Sequence, residues 1–179
     1  NDRDFIRFEI KDFEVLVIND KGNYVAFDNL CPHRGARFFT EDFGNKIVKC
    51  LYHGWSYSRG KVNVAGIKTF QGCSIEHAAL NEFKIEACGD LLFFAIEPKT
   101  TLQAQLGPDV FALLHKVAGD IDERSDFNRY SFECDWPIAL ENALEPYHIP
   151  LIHTDTLATL DLGVGVNEFY GENSIWYSP

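Results

Sequence analysis

Residues 31–55 read CPHRGARFFTEDFGNKIVKCLYHGW. They hold two cysteines and two histidines, arranged as Cys31-x-His33, a gap of 16 residues, then Cys50-x-x-His53. Cysteine and histidine are the soft and borderline ligands that iron and zinc select. A tetrahedral zinc site, an iron–sulfur cluster or no metal are the three readings to weigh. Zinc motifs commonly keep like ligands together, whereas each arm here donates one of each kind. That mixture suits a binuclear cluster, with two thiolates on one iron and two imidazoles on the other. Pro32, Gly35 and Gly54 suit two tight ligand loops, since glycine permits the positive φ of a sharp turn.

Composition narrows the context. A chain of 179 residues suits one large domain, or one domain and part of a second. With 46% apolar and 14% aromatic residues it can bury a core. A net charge of −11 argues against nucleic-acid binding, which draws its affinity from basic residues on phosphates. No apolar run approaches the roughly 18 residues that span a bilayer, and no secretory signal opens the sequence. Five cysteines, an odd number, point to metal chemistry rather than a secreted disulfide framework, so the cytoplasm is the expected compartment. Cys73, Cys88 and Cys134 read as ordinary small apolar residues. The sequence begins at Asn1 and contains no methionine, which points to a processed or partial chain.

Apolar patterning predicts an α+β chain with an all-β first part. The runs FIRFEI, FEVLVI and YVAFDNL read as strands, with a turn at NDKGN. KIVKC reads as a short strand ending on a ligand, and FKIEACGDLLFFAI as a hairpin turning at Cys88-Gly89-Asp90. Pro98 marks a boundary. DVFALLHKVAG has helical spacing, with Gly119 as a residue just past its end. RYSFEC and NSIWYS read as strands. DWPIALENALEPYHI opens a helix, with Asp135 as N-cap and Pro137 near the first position. The expected division is a β domain at 1–98, a helical connector at 99–127 and the start of an α+β domain at 128–179.

CPHRGA and CLYHGW resemble the two ligand loops of Rieske [2Fe–2S] proteins, in which one iron has two Cys and the other two His. The resemblance implies that Cys31 and Cys50 bind one iron, and His33 and His53 the other. The respiratory type of that family carries an extra cysteine in each loop and a serine donating to a cluster sulfur. Ala36, Tyr52 and Trp55 stand at those places here. Fewer donors leave the potential toward the low end of the Rieske range, about −150 to +300 mV. That suits the oxygenase or ferredoxin type.

Length separates these two, because the chain runs on into ENALEPYHIPLIHTDTL. Two histidines and a carboxylate are the facial set of non-haem Fe(II) oxygenases. Glu145 and His148, three apart, would share a helix face. His153 lies about 140° further round a straight helix, so the helix should break at Pro150. The pattern W-x-x-x-x-E-N-x-x-E-x-Y-H-x-P-x-x-H resembles the start of the catalytic domain of Rieske non-haem iron oxygenases, which is helix-grip-like. The resemblance implies that His148 and His153 hold a mononuclear Fe(II). Glu145 takes the place of the carboxylate bridging to a cluster histidine of the next subunit, where ring dioxygenases carry aspartate. Glutamate occurs there in members acting on quaternary amines. Asn142 and Tyr147 would support the site by hydrogen bonds. Asp155, Asp161, Glu168 and Glu172 qualify as a third ligand by residue type only, and none is assigned.

The implied function is that of a terminal oxygenase component, with O2 and a small organic molecule as substrates, a reductase or ferredoxin as electron donor, and a homotrimer or a multiple of it as assembly. An electron-transfer Rieske protein is the alternative. Arg34, Arg37, Arg59 and Lys61, in or beside the loops of an acidic chain, would attract an acidic electron carrier.

Overall fold

The apolar run VLVI lies in strand β2 (Phe13–Asp20), where the two-residue period of a strand sends its side chains to both faces of a sheet. Val15 and Val17 are buried on one face, Leu16 and Ile18 on the other. Strand β1 (Asp4–Ile10) runs antiparallel to it with Phe5 opposite Ile18, and β3 (Asn23–Asp28) places Ala26 opposite Val17. The β2–β3 turn is closed by the Gly22 N–H donating to Asn19 Oδ1 at 2.7 Å. The short β4 (Phe43–Asn45) pairs with β1 at one edge. Strands β5 (Ser56–Ser58) and β6 (Lys61–Asn63) form a separate hairpin. Strands β7 (Glu82–Cys88) and β8 (Leu91–Ala95) form the expected hairpin, turning at Gly89 with φ 59°, and complete a six-stranded sheet ordered β4-β1-β2-β3-β7-β8.

The computed structural model of the chain describes residues 1–70, 72, 75, 78–121, 130–157 and 165–177. It falls into two compact units, Asn1–Leu102 and Gln103–Pro179; the expected first boundary at 98 lies just before the division. One face of the first unit's sheet packs Phe5, Leu16, Ile18 and Phe27 against Phe38, Phe39, Val48, Trp55, Tyr57 and both motif cysteines. The Phe5 and Phe39 rings stack at 4.2 Å. Each such buried side chain contributes on the order of 1.5–3 kcal/mol. The other face holds Val15, Val17, Ala26 and Phe83, with Phe94 edge-on to Phe8 and Phe83. The loops carrying the motif are thus pinned by the core itself.

In the second unit, α1 (Leu102–Leu106) leads to α2 (Pro108–Ala118), capped by Gly107 with Pro108 in its first turn. Gly119 ends α2 in a right-handed conformation, φ −71°, rather than the left-handed one that usually favours glycine there. Helix α3 (Trp136–Leu144) starts after Asp135, as expected, and α4 (Ile149–Ile152) is a single turn. Strands β9 (Val166–Tyr170) and β10 (Asn173–Tyr177) form a hairpin, and Asn173 Nδ2 donates to Gln105 O at 2.9 Å. Among the described residues no helix is long and apolar enough to cross a membrane.

Three local expectations need correction. KIVKC is irregular apart from the lone bridge of Lys49 to Ser56, because β4 takes the edge of the sheet before it. Residues 130–134 of RYSFEC form no strand; Tyr130 and Phe132 are exposed and no neighbouring strand completes a ladder there. The helix does not break at Pro150. It ends at Leu144, with Glu145 extended (φ −102°, ψ 109°), since the residue before a proline, here Pro146, is disfavoured in the helical region. Pro150 instead sits in the first turn of α4, where its missing N–H is harmless.

Candidate metal centres

Both ligand loops are built on one hydrogen-bond frame. The Cys31 N–H donates to Ala36 O at 2.8 Å and the Gly35 N–H returns to Cys31 O at 2.9 Å. In the other loop Cys50 N–H donates to Trp55 O at 2.7 Å and Gly54 N–H to Cys50 O at 2.9 Å. Bridges between Leu30 and Arg37, and between Lys49 and Ser56, close the two loops. Gly35 and Gly54 have φ of 69° and 76°, the conformation expected of them.

This frame brings the four motif side chains together. Cys31 and Cys50 are both buried in the same core cluster. Burial pushes the Cys31 thiol up; Cys50 adds to this, while the backbone N–H groups of His33 and Arg34 facing its sulfur oppose it. The imidazoles of His33 and His53 meet edge to face, ring centroids 4.5 Å apart. Desolvation holds His33 below the ordinary histidine range, with His53 and Arg34 acting in the same direction. Its Nδ1 is buried with no hydrogen-bond partner. A buried, unpartnered nitrogen is costly unless something binds it.

These donors fit a [2Fe–2S] cluster. They form a pair of sulfurs and a pair of imidazoles, the division that two irons need. Among the described residues Cys31, Cys50 and Cys134 are free thiols, and Cys73 lies outside them.

In the second unit, His148 precedes α4 and His153 follows it. One helical turn brings their rings to 5.4 Å between centroids. Glu145 Oε2 lies 3.1 Å from His148 Nδ1, which leaves Nε2 of that ring for another partner. Asn142 is exposed on α3 and Tyr147 is 85% exposed; among the described residues neither bonds to these histidines. Of the candidate third carboxylates, Glu168 accepts hydrogen bonds from Tyr170 and Tyr177, at 2.6 and 3.1 Å. Those bonds raise both tyrosines above their usual range. Asp155 and Glu172 are exposed, and Asp161 lies outside the described residues.

Two features were not read from the sequence. Trp55 stacks on His33, and a network of buried Asn29, nearly buried Glu14 and exposed Arg37 flanks the first loop. Arg37, expected to face an electron carrier, is held by Glu14 at 2.7 Å.

Residues 1–76 match the Rieske [2Fe-2S] domain, a family that binds such a cluster. The chain is 30% identical over 177 residues to the large oxygenase component of salicylate 5-hydroxylase from Ralstonia sp, covering 86% of this chain and 40% of that protein. It is 23% identical over 175 residues to chloroplastic choline monooxygenase from Arabidopsis thaliana, covering 89% of this chain and 42% of that protein. Among solved structures, a quaternary ammonium Rieske monooxygenase shares its fold with a TM-score of 0.83 at 20% identity, over 98% of this chain and 51% of that one. Residues 1–76 thus carry the match to the Rieske [2Fe-2S] domain, and the chain is similar over most of its length to oxygenase components, spanning about two fifths of the length of these curated relatives.

Proposed function

We propose that the chain is the cluster-bearing part of a terminal oxygenase that passes electrons from a [2Fe–2S] cluster to a mononuclear Fe(II) for O2-dependent oxidation of a small organic substrate. One observation carries the reading: the matched loop frames that set two adjacent buried thiols beside two touching imidazoles, with His33 Nδ1 buried and unpartnered. When bound, the cluster supplies one-electron storage and the mononuclear iron supplies O2 activation. Cys31 and Cys50 hold one cluster iron, and His33 and His53 the other. The N–H groups of His33 and Arg34 favour the thiolate form of Cys31, and Trp55 fixes the His33 ring plane.

His148 and His153 would hold the mononuclear iron, with a carboxylate as its third ligand. Glu145 orients His148 through Nδ1 and, in a trimer, reaches a cluster histidine of the next subunit. Relatives named for choline, glycine betaine, salicylate and anthranilate span quaternary amines and aromatic acids. Glu145, where ring dioxygenases carry aspartate, favours a quaternary amine. The test is iron and acid-labile sulfide analysis with a visible spectrum and electron paramagnetic resonance after dithionite. The expected result is about two sulfides and three irons per full-length chain with a Rieske-type signal. Zinc without sulfide would overturn the reading, and two irons with no oxygenase turnover would point to an electron-transfer protein.

A further inference from the structure

We propose that Glu14 is the positioning residue of the first ligand loop, gripping both ends of it through Asn29 and Arg37. Glu14 projects from β2 and its side chain is 12% exposed. Its Oε1 accepts from Asn29 Nδ2 at 2.7 Å and from Arg7 Nη1 at 3.0 Å. Its Oε2 accepts from Arg37 Nε at 2.7 Å. Its backbone carbonyl takes the Asn29 N–H, also at 2.7 Å.

The positions of the two partners give the clamp its meaning. Asn29 lies two residues before Cys31, and Arg37 follows Ala36, whose carbonyl takes the Cys31 N–H. A single carboxylate therefore ties the strand entering the loop to the residue leaving it. Asn29 is fully buried and extends the tie, its Oδ1 accepting from the N–H groups of Phe38 and Phe39 at 3.2 and 3.1 Å. Arg7 is braced from behind by Asp42 at 2.5 Å. Hydrogen bonds to charged groups away from water are the strong ones, and removing Glu14 leaves buried Asn29 and the nearly buried Arg7 unsatisfied, while Arg37, 60% exposed, is partly screened by solvent. Among the described residues no carboxylate bonds to Lys49 or Ser56, the flanks of the second loop, so that loop is an internal control.

The purpose assigned to the clamp rests on the cluster reading above, but its test does not. Hydrogen exchange is followed by mass spectrometry in the purified full-length protein for Glu14→Gln, Arg37→Gln and Arg37→Lys, with Glu97→Gln, an exposed residue outside the network, as reference. Glu14→Gln and Arg37→Gln should speed exchange of the Cys31 and Gly35 amides about tenfold and leave Cys50 and Gly54 unchanged. Arg37→Lys, which keeps the charge, should restore much of the protection. Release of iron to a chelator should accelerate in parallel. Equal acceleration in both loops, or none in either, would overturn the proposal. A parent protein without a cluster spectrum would remove the proposed function, while the contrast between the loops would still decide the role of Glu14.

Discussion

His33 lies flat against Trp55, ring centroids 4.7 Å apart and planes 10° from parallel. The indole is 3% exposed and is held edge-on by Phe70 at 5.9 Å, so the core fixes the plane of the His33 ring. Truncating it removes both buried area and that constraint. Trp55→Ala is expected to cost about 3–5 kcal/mol in urea unfolding and to bleach the cluster absorbance. Trp55→Phe, which keeps an aromatic face, should cost less and retain the colour. Equal loss in both variants would mean that the stack itself contributes nothing.

The two loop glycines separate backbone strain from crowding. A Cβ on Gly35 would meet no heavy atom within 4 Å, whereas one on Gly54 would lie 3.4 Å from Ala65 Cβ. Both need the left-handed conformation, which costs another residue about 1–2 kcal/mol. Gly35→Ala should therefore lose about that much stability, and Gly54→Ala at least as much. Chemical unfolding of both variants measures it; an unchanged midpoint for Gly35→Ala would show that the loop can relax.

What the sequence reveals follows from how local each feature is. The ligand loops are legible because Cys-x-His and Cys-x-x-His with their glycines are self-contained turns. Strand β2 is legible because its apolar run needs burial on both faces. The helix end before Pro146 is equally legible, since that proline restricts Glu145, whereas the histidine spacing taken alone suggests a break at Pro150. The Glu14–Asn29–Arg37 network was not legible: its members lie 15 and 8 residues apart and meet only when β2 lies beneath the loop. RYSFEC alternates as a strand does, but alternation creates no ladder without a neighbour.

Tyr57 makes stability depend on alkaline pH. It is 4% exposed, and burial, with Glu82 and Asp20 adding to it, pushes its hydroxyl up to about 12. The folded pKa thus lies above the unfolded value of about 10. The neutral phenol stabilises the fold fully below about pH 10, and that contribution is lost as the pH rises through about 12. Urea unfolding across this window should show the parent losing stability more steeply than Tyr57→Phe. Parallel slopes would mean that Tyr57 ionises as an exposed tyrosine does.

Electron delivery should depend on a basic groove behind the second loop. A cavity of about 490 Å³ is lined by Arg3, Lys21, Lys46, Arg59 and Lys61 beside Tyr57 and Val48, in a chain of net charge −11. Lys46 is paired with Glu41 and Arg3 with Asp2, which leaves Lys21, Arg59 and Lys61 as its more available cations. The double variant Arg59→Glu/Lys61→Glu should slow reduction by an acidic ferredoxin several-fold at low salt. The difference should vanish near 0.5 M salt, where the screening length is only about 4 Å. Reduction by dithionite serves as the reference, and a ferredoxin rate equal to the parent's at low salt would remove the groove from the docking route.

On the proposed function, Glu145 would serve the mononuclear centre in two ways. Its carboxylate already holds His148 Nδ1 at 3.1 Å while remaining 49% exposed, so it can orient a ligand ring and still accept a second partner. A carboxylate behind a ligating imidazole typically contributes 10–100-fold in metal affinity or activity. Glu145→Gln keeps an acceptor for the His148 N–H and should retain both metal centres while turnover falls. Glu145→Ala removes the acceptor and should lower turnover by about 10–100-fold, with the cluster spectrum unchanged because the cluster ligands lie elsewhere. Transfer of a single electron from reduced cluster to mononuclear iron, followed by rapid mixing with O2, separates the two roles. Slow transfer at full iron loading marks the bridge, and reduced loading marks the orienting bond. Full turnover in Glu145→Ala would leave the residue with neither role.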